Sequence, residues 1–134
     1  MIGFEELRIK TPSREVLVNL TNEINQVVKK SSVREGVCRM FVPHTTAGIT
    51  INENADPAVM KDIIHYLKKL IPQNYGFSHR EGNSDAHIKC TLTGHSVDII
   101  IHEKRLMLGT WQGIFFAEYD GPRNRKLYLQ IQGE

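Results

Sequence analysis

The chain has 134 residues, of which 24% are charged and 40% are hydrophobic, and its formal net charge is +2 with the histidines neutral. This length and composition fit one globular domain and argue against a disordered chain. The small net charge gives no electrostatic argument for nucleic-acid binding, and no apolar segment approaches the length of a membrane span. The first ten residues carry acidic side chains where a signal peptide has an apolar run. We therefore expect one domain over residues 1–134, located in the cytoplasm, without nucleic-acid or membrane partners.

The first half of the chain predicts two helices separated by short strands. Thr21 suits a helix N-cap, with Glu23 in the first turn, and this helix is expected to end near residue 31 or 32. Asp56 followed by Pro57 predicts the start of a second helix, which carries an apolar stripe and ends at Pro72. Strand-like patterns cover residues 4–9, 15–20, 37–42 and 49–51.

The second half predicts a series of strands after a polar loop over residues 73–85. The strand-like patterns cover residues 86–92, 96–102, 105–108, 110–119 and 126–132. In the first of them, His87, Lys89 and Thr91 alternate with apolar residues and would share one face of a strand. The runs 99–101 and 114–116 lack strict alternation, which predicts strands covered on both faces. Together these elements predict an α+β domain with a mostly antiparallel or mixed sheet and two helices in its first half.

Several residues and motif classes receive no functional role. Cys38 and Cys90 form no CxxC motif and lie in apolar stretches, which favours buried thiols over a disulfide. His65 is expected at the surface of the second helix, and His95 and His102 only flank a strand. The sequence contains no GxxxxGK[ST], GxGxxG or GxSxG, so a nucleotide-phosphate loop and a serine-hydrolase elbow are unsupported.

The densest polar cluster covers residues 79–87. It contains His79, Glu81, Asp85 and His87 within nine residues, with a glycine that allows the loop to bend back. Imidazole nitrogens and carboxylate oxygens are the ligand set of catalytic zinc and related divalent sites. No standard zinc motif is matched, so a solvated loop with one histidine entering a sheet is the alternative interpretation.

A second group of polar residues follows two predicted strands. His44 lies at a strand end beside the hydroxyls of Thr45 and Thr46, as part of a site or as a turn histidine. Asn52 and Glu53 lie between a strand and a helix and have no role in the predicted local structure. They could orient a ligating imidazole or could be ordinary loop residues.

A third group lies near the C-terminus. Trp111, flanked by glycines and followed by Gln112, could stack on a ring ligand or could belong to the core or an interface. Arg123 and Arg125 follow a Gly-Pro pair and could bind phosphate, although a solvated turn is the alternative.

The sequence resembles the YjbQ family over almost its whole length. The resemblance is carried by residues 41–48 (FVPHTTAG), 50–57 (TINENADP), 79–87, 108–114 (LGTWQGI) and 120–123 (DGPR). It implies a compact α+β fold, a homotrimer, and a polar pocket near the subunit boundary. It also implies thiamine-phosphate synthase activity, as a secondary activity, which joins hydroxymethylpyrimidine diphosphate to thiazole phosphate.

Residue patterns and resemblance together give a set of expected roles. We expect a divalent cation, with zinc the best match and magnesium the alternative for a diphosphate substrate, at His44, His79 and His87. The expected catalytic residues are Glu53, Glu81 and Asp85. The expected substrate-binding residues are Thr45, Thr46, Asn52, Lys89, Trp111, Gln112, Arg123 and Arg125. The expected function is an enzyme, a thiamine-phosphate synthase or a metal-dependent hydrolase, acting on a small phosphorylated substrate. The alternative is a non-enzymatic trimer that binds a metal or a small ligand.

Overall fold

The strands of this chain form two antiparallel sheets, with helices between and around them. A computed structural model describes residues 2–134. The elements within these residues are β1 (Ile2–Lys10), β2 (Val16–Asn19), α1 (Thr21–Ser31), β3 (Gly36–Phe41), β4 (Ala47–Glu53), α2 (Pro57–Leu70), α3 (Ser84–Thr93), β5 (Ser96–His102), β6 (Arg105–Leu106), β7 (Gln112–Glu118) and β8 (Asn124–Gly133).

The larger sheet has the strand order β1-β8-β3-β5-β6 and the smaller sheet the order β2-β7-β4. Every pairing in both sheets is antiparallel, so the predicted α+β class with an antiparallel sheet is confirmed. Because β7 belongs to the smaller sheet and β8 to the larger one, the residues between them cross from one sheet to the other. This crossing brings the ends of both sheets close together.

The main core lies between the two sheets and includes one face of α1. Strand β7 is buried on both faces: Ile114 and Phe116 belong to this core, whereas Ala117 and Tyr119 pack in a smaller cluster with α3. Burial of each large side chain contributes about 1.5–3 kcal/mol. The prediction that residues 114–116 are covered on both faces is confirmed. In β5, by contrast, Ile100 is 66% exposed, so the outer face of that strand is uncovered within one chain.

The first two helices begin close to the predicted positions. Asp56 caps α2 by accepting a hydrogen bond from the Ala58 N–H at 2.9 Å, and Pro57 occupies the first turn, as predicted. The predicted cap of α1 is corrected, because Thr21 is already helical and the side chain of Asn19 accepts its N–H at 3.0 Å. Helix α2 has no buried residue, so its apolar stripe is only half covered within the chain.

The strand predicted over residues 86–92 is wrong, because this segment lies in α3. Its buried residues are Asp85, Ala86, Lys89 and Cys90, a spacing that places all four on one face of a helix. Two of them are charged, whereas Leu92 on the outer surface is apolar and 65% exposed. The usual relation between polarity and exposure is therefore reversed in α3. Helix α3 is thus a third helix, which was not predicted from the sequence, and it lies in the second half of the chain.

Candidate functional site

A polar cavity of about 490 Å³ opens where three segments of the chain meet. These segments are the β3–β4 loop, the loop that leads into α3 together with the first turn of α3, and the β7–β8 loop with the start of β8. The lining residues are Pro43, His44, Thr45, Thr46, His79, Glu81, Asn83, His87, Asp120, Arg123 and Arg125. The fold thus brings together eight of the residues to which the sequence analysis assigned site roles, including all three histidines.

The β7–β8 loop is held at the cavity by contacts with the residues that follow β1. The Arg123 N–H donates to Thr11 Oγ1 at 2.9 Å, and that hydroxyl donates to Glu118 Oε1 at 2.8 Å. A Cβ atom on Gly121 would lie 2.4 Å from the Ser13 carbonyl oxygen, so a larger residue cannot occupy this position without moving backbone. This close approach fixes the loop that carries Arg123 to the cavity.

The positive charge of Arg125 is matched by a buried carboxylate. Arg125 Nε donates to Glu118 Oε1 at 2.8 Å, Nη2 donates to Glu118 Oε2, and Nη2 also donates to Thr46 Oγ1 at 2.8 Å. Burial opposes ionisation of Glu118, but hydrogen bonds from Arg125, the Asp120 amide and Thr11 outweigh it and hold its pKa below the ordinary value. No role was predicted for Glu118 from the sequence. Its carboxylate fixes the position of Arg125, a residue predicted to bind phosphate.

Four charged residues form a second buried network beneath α3. Lys89 Nζ donates to Glu15 Oε1 at 2.6 Å and to Asp85 Oδ2 at 2.9 Å. Arg14 Nη2 donates to Asp85 Oδ1 at 3.1 Å. Burial opposes ionisation of Asp85, but the hydrogen bonds from Arg14 and Lys89 lower its pKa overall. The network fixes the first turn of α3, which carries His87 to the cavity.

These contacts correct the expected positions of Asp85 and Lys89. Both side chains are buried and neither lines the cavity. The strand assumed from the sequence would have placed Lys89 beside His87 on an open face. In the helix, Lys89 instead faces the protein interior, four residues after its partner Asp85. Their ion pair stabilises the helix that carries His87 to the cavity wall.

His44 has a defined tautomer. Its Nε2 accepts a hydrogen bond from the Lys126 N–H at 2.9 Å, so the proton of the neutral ring resides on Nδ1. Burial lowers the pKa of His44, and the nearby Arg125 lowers it further, which favours this neutral form. His44 therefore presents one hydrogen-bond donor, Nδ1–H.

His95 holds the backbone of His44 in place. Because a carbonyl oxygen can only accept, His95 Nε2 carries a proton and donates to the His44 carbonyl oxygen at 2.9 Å. The same nitrogen lies 3.2 Å from Cys90 Sγ, and the Cys90 thiol donates to the Ala47 carbonyl at 3.1 Å. The sequence analysis gave His95 no role, and no local pattern indicates this contact, because His44 lies 51 residues earlier.

The imidazoles of His79 and His87 lie side by side at the cavity. Their ring centroids are 5.5 Å apart and the ring planes are nearly perpendicular, at 87°. His79 Nε2 is 3.7 Å from Glu81 Oε2, and both side chains are exposed to solvent. These are two of the three histidines that were predicted to bind a metal ion, and their rings are in contact in the folded protein.

The geometry does not fit a zinc site with three histidine ligands. Within residues 2–134, no group of three histidine, cysteine, aspartate or glutamate side chains is arranged to hold a metal ion. The ring nitrogen of His44 that lacks a proton is already occupied by the Lys126 amide. Of the three imidazoles, those of His79 and His87 are the two that lie in contact with each other.

Asn83 adds an unpaired acceptor to the cavity wall. Its Nδ2 donates to Asp120 Oδ2 at 2.9 Å, which fixes the orientation of the amide. Its Oδ1 is buried and has no hydrogen-bond partner, the one such side-chain atom found among residues 2–134. An unpaired buried acceptor costs about 1–3 kcal/mol. Neither Asn83 nor Asp120 was among the residues assigned from the sequence.

Four residues with expected site roles lie away from this cavity. Glu53 pairs with Gln112 at the far end of β4 and β7, roughly 20 Å along the strand from Thr46. Glu53 Oε2 accepts the Ala55 N–H at 3.0 Å, and Asn52 Oδ1 accepts the Glu53 N–H at 2.7 Å. These turn contacts explain both residues locally, which corrects the expectation that they lacked a local role. Trp111 is adjacent to Gln112 and is 64% exposed.

The family model described as UPF0047 protein YjbQ-like matches residues 5–134. The chain belongs to this family. UPF0047 protein MJ1081 from Methanocaldococcus jannaschii is 58% identical over 127 residues, which cover 95% of this chain and 92% of that protein. UPF0047 protein YugU from Bacillus subtilis is 43% identical over 128 residues, covering 95% and 97% of the two chains.

Solved structures of the YjbQ family share this fold. A YjbQ/UPF0047-family protein from Clostridium acetobutylicum is 49% identical, with a TM-score of 0.93, and the match covers 96% of this chain and 99% of that one. A YbjQ-like protein from Sulfolobus solfataricus is 34% identical, with a TM-score of 0.96, and covers 100% and 99%. The resemblance inferred from the sequence motifs is therefore confirmed. No helix within residues 2–134 is long and apolar enough to cross a membrane.

Proposed function

We propose that the cavity binds a small phosphorylated molecule and that the protein is an enzyme acting on it. The observation that carries this proposal is the convergence of Arg123, Arg125, Thr46 and His44 on one cavity. Guanidinium forks, hydroxyls and imidazole N–H groups are the donors that phosphate oxygens accept. Asp120 also lines the cavity and compensates part of this positive charge, because its carboxylate accepts from Arg123 as well as from Asn83.

Arg123 is the principal phosphate ligand in this proposal. Its side chain is 53% exposed, whereas that of Arg125 is 5% exposed. Arg123 donates to Asp120 through Nε and Nη2, and Arg125 is bound to Glu118, so each offers a ligand its remaining donors. The buried pair keeps Arg125 in one orientation at the cavity edge. Two guanidinium groups that are each held by a carboxylate at the same cavity suit recognition of a tetrahedral phosphate.

His79 and His87 are the proposed proton-transfer groups. Both line the cavity, and imidazole can accept or donate a proton near neutral pH. General acid–base catalysis by a positioned side chain contributes about 10²–10⁴-fold to a rate. Glu81 lies close enough to His79 to orient its ring, which is the role we propose for this carboxylate.

A divalent cation remains part of the proposal, with zinc the best match and His79 and His87 as its protein ligands. The perpendicular rings 5.5 Å apart support this pair. When bound, the ion would neutralise phosphate charge and lower the pKa of a bound water. Metal analysis of the purified wild type against His87→Ala tests it, and equal metal content in both would remove the ion from the proposal.

The reaction implied by the family resemblance, the joining of hydroxymethylpyrimidine diphosphate to thiazole phosphate, falls within this substrate class because both reactants carry phosphoryl groups. We propose it as a candidate activity, in the cytoplasm. It is tested by incubating the protein with both reactants and measuring thiamine phosphate. No product above a no-enzyme control would reject this reaction while leaving the phosphate cavity intact.

We also propose that the protein is a homotrimer. The outward face of the larger sheet carries several exposed apolar side chains, including Phe4, Phe41 and Ile100. Phe4 packs against Tyr128 on the neighbouring strand, with ring centroids 5.5 Å apart and the ring planes tilted by 51°. Large exposed apolar side chains that share one face of a sheet can form an interface when another chain covers them, and the proposed partner is a second and third copy of this chain.

The central experiment is calorimetric titration of orthophosphate into the wild type, Arg123→Ala and Arg105→Ala. Arg105 is an exposed arginine on β6 that does not line the cavity, so its variant matches the loss of charge. We expect Arg123→Ala to weaken binding by about 1.5–3 kcal/mol, the range for charge-assisted hydrogen bonds. Arg105→Ala should leave binding unchanged. Equal affinities in all three proteins would reject the phosphate cavity.

Measurement of substrate turnover distinguishes an enzyme from a non-enzymatic binding protein. A screen of phosphorylated metabolites should yield at least one substrate, and His87→Ala should retain phosphate affinity but lose most of the rate. Phosphate binding without turnover of any compound would instead support the non-enzymatic alternative.

A further inference from the structure

The wall of the polar cavity carries a carboxylate, Asp120, among the donors that the proposed function assigns to phosphate. We infer that Asp120 accepts a hydrogen bond from a protonated phosphoryl oxygen of the ligand, and that it thereby makes the cavity select phosphate over sulfate. This inference rests on the proposed function. It adds a residue that determines specificity and the protonation state in which the ligand binds.

Asp120 is fixed through its backbone and through its side chain. Its N–H donates to Oε2 of the buried Glu118 at 3.0 Å. On the carboxylate, Oδ2 accepts from Asn83 Nδ2 at 2.9 Å and from Arg123 Nη2 at 3.0 Å. The side chain is only 15% exposed. The carboxylate is therefore held at the cavity wall when a ligand enters.

The second oxygen of this carboxylate, Oδ1, is available to a ligand. Both hydrogen-bond donors use Oδ2, and no residue among 2–134 donates to Oδ1. An ionised carboxylate has about four acceptor positions and no donor. Because Asp120 lines the cavity, it favours an anion that has a proton to donate and repels an anion that has none.

The donors of the cavity cannot make this distinction. Slightly above neutral pH, hydrogen phosphate and sulfate are both tetrahedral dianions, so the guanidinium groups of Arg123 and Arg125 attract them alike. The two anions differ in the P–OH group, which sulfate lacks. The other carboxylate that lines the cavity, Glu81, is 73% exposed and can turn into solvent. Asp120 is thus the fixed acceptor that can detect the P–OH proton.

The charges at the cavity support the same conclusion. Arg123 is paired with Asp120, and Arg125 is paired with Glu118, so each guanidinium charge is matched by a carboxylate. A fully deprotonated anion would therefore enter a cavity with little excess positive charge. A protonated phosphoryl group brings a donor for Asp120 and, in a phosphomonoester, one negative charge fewer. A phosphomonoester is consequently expected to bind as its monoanion.

A fixed acceptor discriminates because the wrong ligand leaves it without a donor. A site that accepts a hydrogen bond from a substrate O–H strongly rejects an analogue that lacks this group, since the acceptor then loses its water and gains no partner. A hydrogen bond to a charged group changes a binding constant by roughly tenfold or more. A preference of this size is measurable by titration.

The test is calorimetric titration of orthophosphate and of sulfate, slightly above neutral pH, at fixed ionic strength and with chelator present so that bound metal cannot contribute. The proteins are the wild type, Asp120→Asn and Asp62→Asn. Asp62 is an exposed aspartate of α2 that does not line the cavity, so its variant makes the same chemical change elsewhere. Circular dichroism confirms that each variant is folded.

We expect the wild type to bind orthophosphate roughly tenfold more tightly than sulfate. Monofluorophosphate, which has fluorine in place of the phosphate O–H, should bind the wild type as weakly as sulfate. In Asp120→Asn the affinity for sulfate should rise, because an asparagine amide can donate to it, and the preference for orthophosphate should fall below about threefold. Asp62→Asn should keep the full preference.

Four other results would overturn the inference. The first is equal affinity of the wild type for orthophosphate and either of the other two anions, a comparison that needs no variant and leaves the phosphate cavity intact. The second is a preference that survives in Asp120→Asn. The third is a change by the same factor for both anions in that variant, which would mean that Asp120 only positions Arg123 or adds charge. The fourth is a loss of preference in Asp62→Asn.

Failure of both orthophosphate and sulfate to bind any of the proteins would instead reject the proposed function, and the inference with it.

Discussion

Replacement of Glu118 by glutamine tests the buried ion pair that supports the cavity. The substitution keeps the shape of the side chain but removes the negative charge that compensates Arg125. It also removes one acceptor, because an amide nitrogen cannot accept the Asp120 N–H that Glu118 Oε2 now receives at 3.0 Å. Arg125 is left buried without its counter-charge.

The expected cost is large. Breaking a buried ion pair by removing one partner costs about 3–5 kcal/mol, which is roughly a fifth or more of the about 5–15 kcal/mol that stabilises a typical domain. The cost should depend on pH. The pKa of Glu118 in the folded protein lies below its ordinary value of 4.5. Its contribution is therefore fully present above that value and is lost as the pH falls through the folded pKa.

The assay is urea unfolding followed by far-UV circular dichroism at pH 7 and at pH values below 4.5. The matched control is Glu81→Gln, the same chemical change at a carboxylate whose side chain is 73% exposed, expected within about 0.5 kcal/mol of wild type. Added phosphate should stabilise Glu118→Gln more than wild type, because the freed guanidinium becomes available to the anion.

Two results would refute this reasoning. If Glu118→Gln unfolds within about 1 kcal/mol of wild type at pH 7, the pair is not desolvated as the geometry indicates. If the difference between the two proteins does not shrink on acidification, the loss comes from packing and not from the charge of Glu118.

Three further predictions concern the network, the histidine pair and the outer sheet face. Asp85→Asn should cost about 3–5 kcal/mol in urea unfolding, since it leaves the ammonium of Lys89 buried with one partner fewer; a cost below about 1 kcal/mol would mean that water reaches the network. His87→Ala should lower the metal content of protein purified without chelator, measured by elemental analysis, while leaving the unfolding midpoint nearly unchanged. Phe4→Glu combined with Ile100→Glu should reduce the sedimentation mass from trimer to monomer, and a wild type that already sediments as a monomer would contradict the trimer.

Local sequence patterns predicted most strands and two helices because their signals involve residues close in the chain. Leu127, Leu129 and Ile131 occupy every second position. This two-residue period was sufficient to predict β8 and its buried face. Asp56 and Pro57 predicted the start of α2 because capping involves the first turn alone. The family was likewise evident from contiguous motifs, since His44 and its neighbours lie in one unbroken run.

The pattern of apolar residues gave a wrong prediction for residues 86–92, where charged side chains are buried and apolar ones are exposed. In α3 the buried face carries Asp85 and Lys89, so apolar periodicity pointed to a strand. These charges are tolerated inside only because Arg14 and Glu15, more than 70 residues earlier, neutralise them. Their pairing cannot be read from either segment alone.

The sequence by itself determined the antiparallel α+β class, the family and most of the residues that line the cavity. Tertiary structure decided what those residues can do. It fixed the tautomer of His44 through the Lys126 amide, matched Arg125 with Glu118, and separated Glu53 from the histidines by the length of β4. The physical reason is that a side chain's charge, proton position and accessibility depend on groups brought near it by folding. In this protein those groups come from segments far apart in the chain.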